Sequence, residues 1–209
     1  MLNGKNTWSQ NNRSKVSSIL DILYIVYRMP RLSNVEQANR VRNKTERCDK
    51  YYTPKSLVKI HLEVVMPFVP AGSLILEPAR GKGAYYDYFQ LAFPTSHYDY
   101  CEIDEGKDFL QYSIGNSPDV IITNPPFSLL KQFIKKSIEL NPTIISFLLN
   151  QYSVTPCRIR EFNDAGYFVV GYLLVRVNRW FGCSVILTVS RNATENIIQF
   201  DCVKHILEN

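Results

Sequence analysis

From residue 74 onward, short apolar runs bounded by Gly, Pro, Asn or Asp alternate with longer stretches of helical period. Strands alternating with helices are expected from such a pattern. Leu74-Ile75-Leu76 reads as a strand that runs into Glu77 and a glycine-bearing turn, after which Tyr85 to Leu91 begins a helix. His97 to Cys101 and Val120 to Thr123 read as the next two strands, Ser128 to Leu140 as a helix, and Thr143 to Leu149 as a fourth strand. A helix near Arg158 to Ala165, a strand Tyr167 to Val177, a turn Asn178 to Gly182 and a strand Cys183 to Ser190 complete the series. The expected fold is a mostly parallel, Rossmann-like α/β sheet closed by an antiparallel C-terminal hairpin.

Upstream the pattern changes. Asn3 to Ser14 is polar. Val16, Ile19, Leu20, Leu23 and Tyr27 then recur at helical spacing, with Ile22, Ile25 and Val26 widening the stripe. Asp21 interrupts this run, Arg28 follows it and no small-residue cleavage site is present, so it is not read as a signal peptide. It is also too short to span a bilayer. A helix packed on the domain, or the face of a homodimer or of another protein partner, is expected. Arg31, Arg40, Arg42, Lys44 and Arg47 follow in a second stretch, either a solvated charged helix or one that lies along nucleic acid.

Charge sharpens that division. The formal net charge is +5, but residues 1–47 hold nine Lys/Arg against Asp21, Glu36 and Glu46, while residues 48–209 hold fifteen basic against sixteen acidic residues. The two parts expected are therefore a basic, partly helical extension (1–47), placed to supply phosphate affinity, and a near-neutral body (48–209). The five cysteines are scattered, without Cys-x-x-Cys spacing, and the three histidines lie far apart. Free thiols in a reducing compartment, cytoplasmic or nuclear, are expected, with no metal site and no membrane segment. His61 reads as a helix-surface residue.

The chemistry is concentrated in four places. Glu77-Pro78-Ala79-Arg80-Gly81-Lys82-Gly83 follows the first strand. Its glycines permit close backbone approach to a ligand and its carboxylate can pair with a cation. It lacks the Gly-Lys-[Ser/Thr] ending of a phosphate loop and the third glycine of a dinucleotide fingerprint. Glu102 ends the second strand nineteen residues past Gly83, a position suited to a ribose diol. Asp108-Phe109 offers an acceptor and then a ring. Asn124-Pro125-Pro126-Phe127 ends the third strand: the Asn carboxamide oxygen and the Pro125 carbonyl are two acceptors with pre-set geometry, and Phe127 is a flat apolar face. An exocyclic amino group on a planar base has the complementary two N–H donors and ring. Each piece alone also occurs as an ordinary turn or a solvated carboxylate; their joint order is what carries meaning.

That order resembles the amino-group DNA methyltransferases that use S-adenosylmethionine to methylate N6 of adenine. The resemblance covers Tyr51 to about Leu149, roughly half the chain, in the gamma arrangement of motifs seen in short phage- or virus-type enzymes. It implies a class I methyltransferase sheet and the following roles. Tyr52-Thr53-Pro54 looks like the N-terminal cofactor motif, leading into a helix over the methionine end. Glu77, Pro78, Gly81 and Gly83 belong to the cofactor loop, with Glu77 near the methionine amino group. Glu102 takes the ribose hydroxyls, Asp108 and Phe109 the cofactor adenine. Asn124, Pro125, Pro126 and Phe127 form the catalytic motif, acting on a flipped or single-stranded adenine of a DNA partner. Arg80 and Lys82 depart from a loop that often carries small or acidic residues, and no long segment remains for a separate target-recognition domain. The alternatives are an RNA methyltransferase acting on adenine N6 or guanine N2, a protein-glutamine methyltransferase, against which Phe127 in place of Tyr weighs, and a non-catalytic subunit binding nucleic acid or a partner.

Overall fold

The computed structural model describes residues 52–113, 117–177, 180 and 182–198. The basic extension and its two expected helices, together with Tyr51, Cys48, Cys202 and His205, lie outside the described residues, as does part of the 178–182 turn.

Six strands form one sheet: β1 (Leu74–Glu77), β2 (His97–Tyr100), β3 (Val120–Thr123), β4 (Ile144–Asn150), β5 (Phe168–Val175) and β6 (Ser184–Ser190). Their spatial order is β2-β1-β3-β4-β6-β5. The pairs β1–β2, β1–β3 and β3–β4 are parallel, whereas β6 runs antiparallel between β4 and β5. The mostly parallel sheet with its closing hairpin is thus as the apolar pattern predicts. Among the described residues four α-helices accompany it: α1 (Lys55–Val65), α2 (Tyr86–Ala92), α3 (Leu130–Leu140) and α4 (Pro156–Asp164).

Strand period two explains the layering. Ile75 pairs with Val120 and Leu76 with Ile121, so successive residues face opposite sides of the sheet. Leu76, Ile121, Ile145 and Phe147 pack with Phe133 and Ile134 of α3 and with Ile159 and Phe162 of α4. Ile75, Val120, Ile122 and Ile144 pack with Val58, Leu62 and Val65 of α1 and Phe89 of α2. Every residue of β3 and β6 is buried, as interior strands require, whereas His97 of the edge strand β2 is exposed.

Local chemistry sets the helix ends. Thr155 accepts from the Arg158 N–H and Pro156 opens α4, a side-chain cap joined to a residue whose missing N–H costs nothing there. Asn141 closes α3 at φ 60°, a conformation Asn tolerates. The helix expected from Ser128 begins instead at Leu130, after a 3₁₀ turn over Phe127–Leu129. Pro126, at φ −62° and ψ 131°, keeps the chain extended until that turn.

Candidate active site

The chain leaves β1 for β2 on one side and then crosses to β3 on the other. Ligands of open α/β sheets bind where such a reversal opens a crevice beyond the strands' C-terminal ends. Glu77 is the last residue of β1 and Asn124 follows the last residue of β3. Both line a cleft open to solvent, together with Tyr52, Thr53, Ala79, Arg80, Gly81, Lys82, Ala84 and Tyr85.

Glu77 is the base of this cleft electrostatically. It is 1% exposed and accepts from the Tyr86 N–H at 2.8 Å. Burial pushes its carboxyl up to about 9; the Tyr86 N–H and Arg80 oppose that rise, and Asp87 and Glu102 add to it. A carboxyl desolvated this far and opening on a cleft is matched to a cation that would restore its ionised form.

The glycine loop is held rigidly beside it. Gly81 and Gly83 have φ of 54° and 81°, and a Cβ at Gly83 would stand 2.8 Å from Asp87 Oδ1. Glu102, two residues beyond the end of β2, clamps the loop: its Oε2 accepts from the Gly81 N–H at 2.5 Å and its Oε1 from the Asp104 N–H at 3.2 Å. Each carboxylate oxygen keeps a second lone pair, so this clamp leaves acceptor capacity. Arg80 is drawn to β2, its guanidinium 4.5 Å from the Tyr100 ring centre and 5.6 Å from that of Tyr86, and ion-paired with Glu105 at 2.7 Å. Lys82 lies 4.6 Å over the Tyr52 ring. The two cations that set this loop apart are therefore seated on aromatic faces.

On the other wall, Thr53 is 8% exposed and accepts from Asn124 Nδ2 at 3.1 Å. Tyr52 is 51% exposed and arches over the loop, 3.6 Å from a Cβ built on Gly81. Pro54 precedes the first turn of α1. Pro78 and Pro125 are buried and Pro126 is half-buried, while Phe127 is 36% exposed at the start of its 3₁₀ turn.

The structure thus brings Tyr52, Thr53, Glu77, Gly81 and Asn124 to one cleft, with Gly83 in the same loop against Asp87 and Glu102 joined to the loop through the Gly81 N–H. Asp108 and Phe109 are not among the residues lining this cleft: Asp108 caps a 3₁₀ turn through the Leu110 N–H at 2.9 Å. Phe109 is 2% exposed, its ring centre 4.9 Å from that of Phe133 in the core. His61 corrects its expected surface position. It is fully buried on the same α1 face as Leu57, Val58, Leu62 and Val65, its ring nitrogens bonded to Tyr85 and Ser146 at 2.8 Å each. Tyr85, also in the cleft wall, was not legible in the motifs. The one available signal was its place directly after Gly83-Ala84, since a Tyr buried at a helix start needs a polar partner.

Among the described residues no group of three or more His, Cys, Asp or Glu is placed to hold a metal ion, and no helix is long and apolar enough to cross a membrane. Cys101 is buried, its thiol pushed up to about 12 chiefly by that burial, and Cys157 and Cys183 are free.

No protein-family model and no curated protein sequence matches this chain. Solved structures do. A protein of Pyrococcus horikoshii, provisionally described as an RNA methyltransferase, is 16% identical with a TM-score of 0.56, covering 75% of this chain and 97% of its own. A type I restriction-modification methyltransferase subunit of Streptococcus thermophilus is 12% identical with a TM-score of 0.52. It is covered over 45% of its length and matches 69% of this chain. A chain of the E. cuniculi Mtq2–Trm112 complex, which methylates the termination factor eRF1, is 10% identical with a TM-score of 0.51, over 68% of this chain and 98% of its own. At these identities the likeness is one of fold: the Rossmann-like sheet that these methyltransferases have in common.

Proposed function

We propose that this protein transfers a methyl group from S-adenosylmethionine to the N6 amino group of adenine in DNA. The observation that carries the proposal is the meeting, in one cleft at the sheet's switch point, of Asn124, which opens the Asn124-Pro125-Pro126-Phe127 turn, with Glu77 and the loop residues Ala79 to Lys82. The nucleic-acid methyltransferases among the structural neighbours are compatible with this reading.

The residues fit the cofactor. Glu77 is a buried carboxyl opening on the cleft whose charged form burial disfavours, which suits the methionine ammonium as the charge that would restore it, and the missing side chain at Gly81 leaves the backbone open beside Tyr52. Thr53 and Tyr52 flank the same end, and Glu102 is the acceptor for the ribose hydroxyls. When bound, the cofactor supplies an activated methyl group. The protein's own contribution is alignment. Asn124 and the Pro125 carbonyl accept the two N–H groups of the base, drawing the nitrogen lone pair out of conjugation, and the two prolines hold these acceptors in place before the base arrives. Phe127, partly exposed beside them, stacks on the ring. Alignment and two hydrogen bonds suffice without a strong general base. Asp108 and Phe109 are proposed at most as a wall behind the cofactor adenine, because the Phe109 ring is enclosed by the core.

The test is transfer of labelled methyl from S-adenosylmethionine to mixed-sequence DNA, with RNA in parallel. Label in N6-methyladenine of DNA, reduced by orders of magnitude in Asn124→Ala while cofactor affinity is kept, is the expected result. Near-wild-type turnover in Asn124→Ala would sink the assignment, and label in RNA alone would move the substrate.

A further inference from the structure

The sheet edge that carries the cleft is divided by charge. Its β1–β2 half holds Glu77, Glu102, Asp104 and Glu105. In the other half, Asn124 to Leu129 after β3, Asn150 to Thr155 at the end of β4 and the residues between β5 and β6 include no Asp or Glu. β5 ends at this same edge, because Ser184 of β6 pairs with both Asn150 of β4 and Val175 of β5. Arg176, the next residue, is exposed, and among the described residues no carboxylate is paired with it. Two rings are exposed on the same half, Phe127 at 36% and Tyr152 at 69%.

Tyr152 is the ring that the fold holds out to solvent. Thr123, the last residue of β3, pairs with Phe147, and β4 continues through Leu148, Leu149 and Asn150. At roughly 3.3 Å per residue this carries β4 about 10 Å past the end of β3. Tyr152 therefore stands on a rim above the Asn124 turn, one strand over. The backbone around it is tied down. Asn150 Oδ1 accepts from the Tyr152 N–H at 3.0 Å, the Gln151 N–H donates to the Cys183 carbonyl at 3.0 Å, and Arg158 Nη1 donates to the Ser153 carbonyl. The ring itself lies along Gly182, 3.6 Å from where a Cβ would stand there. A single exposed aromatic is ordinary on a protein surface. One fixed by these bonds on an acid-free rim, with an exposed arginine two strands away, is a pre-ordered stacking face beside a phosphate contact.

Resting on the methyltransferase reading of the cleft, we propose that Tyr152 and Arg176 grip the substrate strand next to the flipped adenine. Tyr152 stacks on a base neighbouring the target, and Arg176 contacts a backbone phosphate. Neither residue lines the cleft, so both act on the flanking nucleotides rather than on the cofactor or the methylated amino group. A nucleic-acid strand is the occupant that the chemistry favours: it presents flat bases and one negative charge per nucleotide, and this half of the edge supplies a ring, a cation and no opposing acid.

Fluorescence anisotropy of a labelled, adenine-containing single-stranded DNA, with the full chain and S-adenosylhomocysteine present, measures the grip. Tyr152→Ala should weaken binding roughly ten- to a hundredfold, whereas Tyr152→Phe, which keeps the stacking ring, should stay within about twofold of the wild type. Arg176→Gln should reduce the slope of log K against log salt concentration by about 0.7, one phosphate contact on a single strand; Tyr152→Ala should leave that slope unchanged. Calorimetry with S-adenosylhomocysteine should return wild-type cofactor affinity for all three variants, which shows the cleft intact. Wild-type binding by Tyr152→Ala, an unchanged salt slope for Arg176→Gln, or a wild type that binds no oligonucleotide would each overturn the proposal. The methyltransferase reading fails separately. A wild type that grips the strand but transfers no methyl removes the enzyme and leaves the grip; methyl transfer with normal binding by Tyr152→Ala and Arg176→Gln removes the grip and leaves the enzyme.

Discussion

Cofactor binding should expel a proton from Glu77. Burial raises this carboxyl from 4.5 to about 9, so the free protein carries it protonated at neutral pH. Holding an ammonium requires the ionised form. The ligand's α-amino group, by analogy with a chain terminus, loses its proton near about 8. Below that value affinity should therefore rise about tenfold per pH unit. Between about 8 and the Glu77 value it should be level, the proton passing from carboxyl to amine; above, it should fall as the amine must be reprotonated. Breaking a buried charge pair costs roughly 3–5 kcal/mol, but at pH 7 ionising Glu77 already costs about 2.7 kcal/mol, two pH units at about 1.36 kcal/mol each. Glu77→Gln should accordingly weaken binding only about tenfold at pH 7 and about a hundredfold at pH 8, where one unit less is spent on ionisation. The same shift acts on the fold: its stabilising effect is complete below 4.5 and is lost as pH rises through about 9, so the glutamine variant should gain relative stability across that window. Titration calorimetry with S-adenosylhomocysteine, in buffers of different ionisation enthalpy, measures both affinity and protons. About one proton released at pH 7 by the wild type and none by Glu77→Gln is expected. A wild-type affinity that does not change between pH 6 and 8 would refute the reasoning.

Three further substitutions separate the roles of neighbouring residues. Gly83→Ala places a Cβ 2.8 Å from Asp87 Oδ1 at φ 81°, and should cost about 1–3 kcal/mol in denaturant unfolding as well as weakening cofactor binding. Phe109→Ala should cost roughly 3–5 kcal/mol of stability, as for a fully packed core ring. If the folded variant instead lost cofactor affinity with its stability intact, the ring would be a ligand contact after all. Phe127→Ala, at a position 36% exposed, should leave stability within about 0.5 kcal/mol. It should also weaken the nucleic-acid substrate by about 1–3 kcal/mol of lost stacking, read as a change in KM for DNA without a change in cofactor Kd.

The apolar runs by themselves determined the strands of this protein, because a strand's alternation and a helix's period are local properties of the chain. Val120 to Thr123 is a strand end to end, and the switch from isolated parallel strands to a hairpin is visible in the short turn between the last two. The chemistry-bearing positions of the cleft were legible for the same reason: Glu77, Gly81 and Asn124 sit at strand ends, where topology alone delivers them to one edge. Boundaries shifted where a side chain or proline decided them, as at Pro126 and at Thr155. What only the tertiary structure decided was which polar residues lie inside. No local pattern distinguishes His61, buried, from a solvated histidine on the same helix, because its partners Tyr85 and Ser146 stand 24 and 85 residues away. Phe109 and Asp108 likewise took their places from α3 and a local turn rather than from the cleft. A residue's period assigns it to a face; whether that face offers water, a carbon core or a hydrogen-bond partner is settled by the elements packed against it, and those arrive from distant parts of the chain.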